Sequence, residues 1–266
     1  MFITFLTDFG LEDDFVGTCH GVIKRIAPDA EIIDVTHGIA RQSVLQGALV
    51  LESTLPFLPE GIHLAVVDPG VGTERRALAL RGESGRLFVG PDNGLLVPAA
   101  EHHGGIEAAH EIANREYALE PVSATFHGRD IFAPAAAHLA CGVDLGALGP
   151  AVEPDSLVRL EVPKPEVSGR RIRATSLYVD RFGNIQLNLN RAHLERFGIE
   201  PGQQVEIEHA GDRYYAFAAR TFADARPGEV ILYEDAYDNV ALAISGGSAA
   251  QTFNVSAGDE IRIRTE

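Results

Sequence analysis

Cysteine is nearly absent: Cys19 and Cys141 are the only two among 266 residues. They lie far apart and outside any C-x-x-C spacing, which excludes a disulfide framework and a cysteine zinc site. Cys19 falls on the apolar stripe of an expected helix, where a buried inert thiol is the usual case. Methionine occurs once and tryptophan not at all. No apolar run approaches the roughly 18 residues that a membrane helix needs. The opening Met1-Phe2-Ile3-Thr4-Phe5-Leu6 has no basic region and no cleavage-site pattern, so the expectation is a cytoplasmic protein without a membrane partner. Positive charge is also scarce. Lys and Arg number 22 against 38 Asp and Glu, a net charge of −16. Such a surface repels phosphates and anionic headgroups, so no nucleic-acid partner is expected; its ordinary consequence is solubility.

The chain is 45% hydrophobic and 23% charged, an ordinary globular mix. Its length suits one large domain or two modest ones. In the first half, strands expected at residues 2–6, 31–35 and 62–67 alternate with helices. The first helix carries Phe15, Cys19, Val22, Ile23 and Ile26 at helical spacing and is stopped by Pro28. Ser43 reads as the cap of the second. This order predicts parallel strands with crossover helices, an α/β domain. A hairpin follows at 77–81 and 86–89, then a turn at Gly90-Pro91-Asp92-Asn93-Gly94 and an Ala-rich helix over 128–141. Pro163-Lys164-Pro165-Glu166 reads as a linker, dividing the chain into 1–162 and 168–266 with the linker at 163–167. Beyond it, seven short strands separated by turns predict a small antiparallel barrel or sandwich, with one helix over 191–197 capped by Asn190.

Four segments carry candidate chemistry. Thr7-Asp8-Phe9-Gly10 ends the first strand, where an Asp suits a ribose diol, or simply caps a turn. Asp68-Pro69-Gly70-Val71-Gly72-Thr73-Glu74-Arg75-Arg76 is a strand-end loop flanked by an acid and a base. Its Asp68 and Arg75 either form a working pair or a plain ion pair. Phe126-His127-Gly128-Arg129-Asp130 places a histidine at a loop-to-helix junction, a natural proton-transfer group that a nearby carboxylate would orient. Asp180-Arg181-Phe182-Gly183-Asn184 offers a stacking face and a paired donor and acceptor for an adenine edge, or is ordinary hairpin chemistry. There is no G-x-S-x-G elbow, no G-x-G-x-x-G fingerprint and no H-E-x-x-H pattern, so neither a nucleophilic serine, a dinucleotide nor a metal site is expected. The residues alone therefore reach an α/β domain joined to a β domain, with a nucleoside-like ligand in view.

These segments, together with Asp34-Val35-Thr36-His37 and Pro91-Asp92-Asn93-Gly94, resemble in order and over nearly the whole chain the S-adenosylmethionine (SAM) hydroxide adenosyltransferases, relatives of the SAM-dependent fluorinase and chlorinase. The resemblance implies an N-terminal Rossmann-like domain and a C-terminal antiparallel β-barrel. It implies SAM as substrate without a further cofactor, a site of a kind that could trap the product adenosine, and a homotrimer whose sites are completed by a neighbouring subunit. Matched position by position, Asp68, Arg75 and His127 form the catalytic set that handles water. Asp8 holds the ribose, Phe126 and Gly128 flank the reacting centre, and the neighbour's Asp180, Phe182 and Asn184 take the methionine end, the base face and the adenine edge. The halogenases carry Tyr at the positions of Asp68 and His127, which disfavours halide as nucleophile here. Halide-dependent adenosyl transfer and a non-catalytic SAM or adenosine sensor are the alternatives to hydrolysis.

Overall fold

The computed structural model describes residues 1–265. Two compact units divide between Leu160 and Glu161. The first unit runs β1 (Phe2–Thr7), α1 (Phe15–Ile26), β2 (Glu31–Thr36), α2 (Val44–Thr54), β3 (Gly61–Val66), β4 (Ala77–Gly82), β5 (Leu87–Pro91), α3 (Val97–His102), β6 (Ile106–Glu111) and α4 (Ala133–Ala140). Its sheet has the order β2-β1-β3-β5-β4-β6. The β2-β1-β3-β5 part is parallel, as the strand–helix alternation requires; β4 pairs antiparallel with β5, and β6 antiparallel with β4.

Successive side chains of a strand point to opposite faces, and both faces of this sheet are covered. Ile3, Phe5, Ile62, Leu64 and Val66 face the side closed by α1 and α4, where Phe132 is fully buried. Leu6, Ala65 and Val67 face the side closed by α2 and α3. Cys19 is buried in the first of these layers, and burial pushes its thiol up to about 12, so it is an inert core group.

Local chemistry departs from the sequence expectations at several places. Ser43 stands at the N-cap of α2, but its side chain makes no capping bond. Gly90 and Pro91 belong to β5 rather than to a turn. The flank of Ala65 explains this: a side chain at Gly90 would lie 2.2 Å from the Ala65 carbonyl oxygen. The Ala-rich helix opens with a π-helical turn at Gly128–Phe132 before α4 begins.

The second unit contains β7 (Glu166–Ser168), β8 (Arg171–Val179), β9 (Ile185–Asn190), α5 (Arg191–Arg196), β10 (Gln204–His209), β11 (Asp212–Ala219), β12 (Val230–Glu234), β13 (Asn239–Ile244), α6 (Ala249–Phe253) and β14 (Glu260–Arg264). Pairing of β14 with β8 closes the sheet into a barrel, with β7 as an extra strand on β8. Seven strands form the barrel, and their inward residues make a separate core that includes Ile172, Leu187, Ile207, Leu242 and Ile261. One pair, β11 with β12, is parallel, because the chain loops back through residues 220–229 before β12 begins opposite Ala216. Residues Glu166 and Val167 lie in β7, so a strand begins within the proline-rich stretch. Asn190 caps α5 in a reciprocal capping box with His193.

Four histidines of the first unit, His37, His63, His127 and His138, are held below the ordinary value of 6.5 chiefly by burial, His63 to about 3. Unfolding returns each to 6.5, so below that pH the unfolded chain binds more protons than the folded one. Their contribution is therefore complete above pH 6.5 and is lost as pH falls toward the folded values. The urea midpoint is expected to drop between about pH 7 and about pH 5. A midpoint constant across that range would contradict the buried neutral state of these rings.

Candidate active site

At the end of β1, the Thr7 hydroxyl accepts the Phe9 N–H at 3.1 Å, which turns the chain and leaves Asp8 in the loop before α1. The Asp8 carboxylate accepts the Gln42 N–H at 2.8 Å. Gln42 adopts a left-handed backbone (φ 62°), so the loop before α2 bends to meet Asp8. This carboxylate remains partly exposed, with acceptor capacity to spare.

Beyond β3, Asp68 opens the loop that leads to β4. The loop folds on itself: Thr73 donates from its hydroxyl to the Gly70 carbonyl at 2.7 Å, and Val71 N–H reaches the Asp68 carbonyl. Arg75 is thereby returned to Asp68 as a two-pronged pair, Nε to Oδ1 at 3.1 Å and Nη2 to Oδ2 at 2.5 Å. Both side chains are over 90% buried. Such a pair is geometrically specific. Gly72 has φ 77° and lies so close to the Ala124 carbonyl that a side chain would sit 2.4 Å from its oxygen. That close approach brings the segment before the π-helical turn onto the same loop.

His127 then meets Arg75: Nη2 donates to its Nδ1 at 3.0 Å. A guanidinium has no acceptor, so Nδ1 is the acceptor and the neutral ring carries its proton on Nε2. Burial and the neighbouring Arg75 charge hold the His127 pKa below 6.5, against the opposing pull of Asp68 and Asp130. Asp68, Arg75 and His127 are thus one connected chain of hydrogen bonds, although 52 positions separate Arg75 from His127. The set offers one carboxylate and one imidazole whose facing nitrogen is occupied by a cation, a poor environment for a metal.

The nearest carboxylate in sequence, Asp130, is not what orients His127. It does not touch that ring. Its buried side chain accepts from Arg129 at 2.6 and 2.9 Å and from the Ser123 N–H at 2.8 Å. Burial alone would raise its pKa, but these donors hold it below the ordinary carboxylate value. Phe126 instead packs edge-on against Phe9 and Phe15, with ring centres 5.8 and 5.1 Å away, while Arg129 lies over its face. Gly128 completes this wall, since a side chain there would lie 2.9 Å from the Phe9 ring.

In the barrel unit, Asp180 organises the turn between β8 and β9. Its Oδ1 accepts the N–H groups of Phe182 and Asn184, and its Oδ2 accepts the Asn184 side-chain amide at 2.8 Å. Asp180 therefore holds the turn. The Phe182 ring is 72% exposed. These three residues line a concavity of about 960 Å³ whose other wall includes Phe222, Tyr233 and Ser248. The rings of Phe222 and Tyr233 meet at 4.9 Å. Sequence reasoning passed over these two aromatics: Tyr233 read as a strand residue, and Phe222 sits in a short 3-10 turn with no motif to mark it.

A parallel α/β unit with an acid–base–imidazole chain at its strand ends, joined to a closed barrel with an aromatic-walled cleft, defines a two-unit enzyme of the nucleoside-handling kind. Residues 3–149 match the model of the SAM hydroxide adenosyltransferase N-terminal domain, and residues 174–262 match that of the C-terminal domain. The chain belongs to the SAM hydroxide adenosyltransferase family. It is 49% identical to a protein of Salinispora tropica named (R)-S-adenosyl-L-methionine hydrolase, over 98% of this chain and 97% of that one. A protein of the same name from Thermus thermophilus is 36% identical over 98% of both chains. A fluorinase of Actinoplanes is more distant, at 33% identity over 96% of this chain and 95% of that one. An uncharacterized conserved protein from Thermotoga maritima has the same fold, with a TM-score of 0.90 at 38% identity, covering 99% of this chain and 100% of its own.

Proposed function

We propose that this chain hydrolyses SAM to adenosine and L-methionine. The observation that carries the reading is the connected Asp68–Arg75–His127 chain in a protein that matches SAM hydrolases along its whole length. The 5′-carbon of SAM is made electrophilic by its sulfonium, and the leaving group is the neutral thioether of methionine. A water oxygen bonds to that carbon as the carbon–sulfur bond breaks, and the water's proton must be accepted. Arg75 takes two of the roughly four lone-pair directions of Asp68, so the carboxylate retains acceptor sites for the proton. The Nδ1 of His127 is filled by Arg75, so His127 serves through Nε2–H, as a donor that fixes the water rather than as the primary base. Alignment of the water behind the carbon supplies most of the acceleration, because positioning removes several kcal/mol from a barrier.

In this reading Asp8 holds the ribose hydroxyls, and Phe126 and Gly128 shape the wall beside the reacting carbon. A homotrimer brings the Asp180, Phe182 and Asn184 turn of a neighbouring copy to the base and the methionine end. The adenine lies in an aromatic cleft suited to retaining adenosine. No helix among the described residues is long and apolar enough to cross a membrane. Two unpaired thiols, Cys19 and Cys141, accord with a cytoplasmic setting.

The deciding experiment is incubation of the purified chain with SAM, with and without chloride, followed by chromatography of the nucleosides. Adenosine and methionine formed at equal rates in both buffers are the expected result. A chlorinated nucleoside would overturn it in favour of halide transfer, and SAM bound but intact would leave only a sensor.

A further inference from the structure

Asp34-Val35-Thr36-His37 takes no part in the reaction proposed above, yet the fold gathers its two chemistry-bearing side chains with a third. Asp34 lies near the end of β2 and His37 just beyond it. His20 projects from the middle of α1. We propose that His20, Asp34 and His37 form a binding site for one divalent transition-metal ion of the zinc class per chain.

The three ligand atoms are His20 Nε2, Asp34 Oδ1 and His37 Nε2, and all lie within 4.8 Å of one another. The two nitrogens are 2.8 and 3.1 Å from the shared carboxylate oxygen. Tetrahedral ligands on bonds of about 2.0–2.1 Å stand roughly 3.3 Å apart, so small adjustments admit an ion. His37 supplies the independent sign of a ligand. Its side chain is 2% exposed, and its Nε2 has no hydrogen-bond partner despite the nearby carboxylate oxygen. The ring therefore does not aim its nitrogen along a bond to Asp34. A buried ring nitrogen without an aligned partner, 3.1 Å from a carboxylate oxygen, is left available to a ligand that both atoms could share.

The opposite nitrogen is fixed: His37 Nδ1 lies 2.8 Å from the buried Thr7 hydroxyl. Anchoring the second ring nitrogen is how proteins orient metal-binding histidines. His20 and Asp34 are partly exposed, which gives an entry path and leaves room for water as a fourth ligand. Two imidazoles and one carboxylate suit zinc, cobalt or nickel rather than magnesium or calcium, which prefer all-oxygen sites. The sequence hides this set because Asp34 and His37 are only three apart on an irregular strand end, and His20 comes from a different element.

The test uses the full chain, stripped with a chelator and titrated with Co²⁺ by visible absorbance. One saturable equivalent with the intense bands of four-coordinate cobalt, displaced by Zn²⁺, is the expected result. His20→Ala lies on a partly exposed helical position and should fold normally while weakening Co²⁺ binding by more than about tenfold, as should Asp34→Asn. His102→Ala removes another surface histidine–carboxylate pair, with Glu52, and should leave the titration unchanged. Failure of Co²⁺ to saturate at one equivalent, or binding by His20→Ala equal to the unchanged chain, would overturn the proposal. So would loss of binding in His102→Ala alone.

Discussion

Replacing Asp68 with alanine is expected to lower the turnover of SAM by roughly 10²–10⁴, the usual worth of a positioned proton acceptor. Affinity for SAM should stay near that of the unchanged chain. The carboxylate touches the water of the proposed reaction and, within the protein, is held by Arg75. It is also 94% buried beside an equally buried guanidinium. Removing it leaves an unpaired charge in the interior, with an expected loss of about 3–5 kcal/mol of folding stability. Asp68→Asn separates the two effects. Its amide has nearly the same shape and keeps one oxygen for Arg75 but no charge, so it should be less destabilised than the alanine variant, and it has no basic oxygen for a proton. Both variants are expected to lose kcat to a similar degree, and the alanine variant to melt earlier than the asparagine variant. Kinetics and thermal melting on the same samples check this; a raised KM at unchanged kcat would move Asp68 from chemistry to binding.

Gly183→Val is expected to raise the KM for SAM by more than tenfold and to destabilise the barrel unit by about 2–5 kcal/mol. Two causes add. The residue has φ 82°, which costs a side chain roughly 1–2 kcal/mol. A side chain there would also lie 2.0 Å from the Ser248 hydroxyl and 2.9 Å from the Ser248 Cα, and crowding of that kind costs about 1–3 kcal/mol. Ser248 cannot yield freely, because its hydroxyl caps α6 by accepting the Gln251 N–H. The turn must move instead, and it carries Phe182 and Asn184. Gly211→Val is the matched control: φ is 94°, but no atom lies within 4 Å. It should show the backbone cost alone, with KM unchanged. Equal behaviour of the two variants would remove the role given to Ser248.

Most of the first unit was readable because its strands and helices obey clear periods and its loops carry Asp, Gly and Pro at the turns. Two elements escaped. α3 is six residues following an apolar Leu95-Leu96 pair, too short for a helical period, and it owes its form to packing on α2. β6 reads Ile-Glu-Ala-Ala-His-Glu, poor in β-branched residues, and is a strand because β4 offers it an edge. In the barrel, alternation located the strands but gave no sign that β11 and β12 run parallel, since that depends on where the connecting loop leads.

At the site, residue types were legible while partners were not. The Asp68 and Arg75 pair follows from a short loop with two glycines. The bond from Arg75 to His127 joins separate loops, so sequence proximity could not single it out, while the adjacent Asp130 pairs with Arg129. Phe222 and Tyr233 face one cleft only because the end of β11, at Ala219, lies opposite Tyr233 of β12.

Closure of the barrel has a consequence for how the chain acquires its shape during synthesis. The first long barrel strand, Arg171–Val179, takes as its partner the strand Glu260–Arg264. On a ribosome, the earlier strand emerges long before its partner exists, so its backbone edge stays open until the end of translation. The contacts of Met1–Leu160 are all available sooner, and that unit can condense while the barrel is still incomplete. Non-local pairing of this kind is slow to form, so the last step of maturation falls on the barrel, and with it on the turn that holds Phe182 and Asn184.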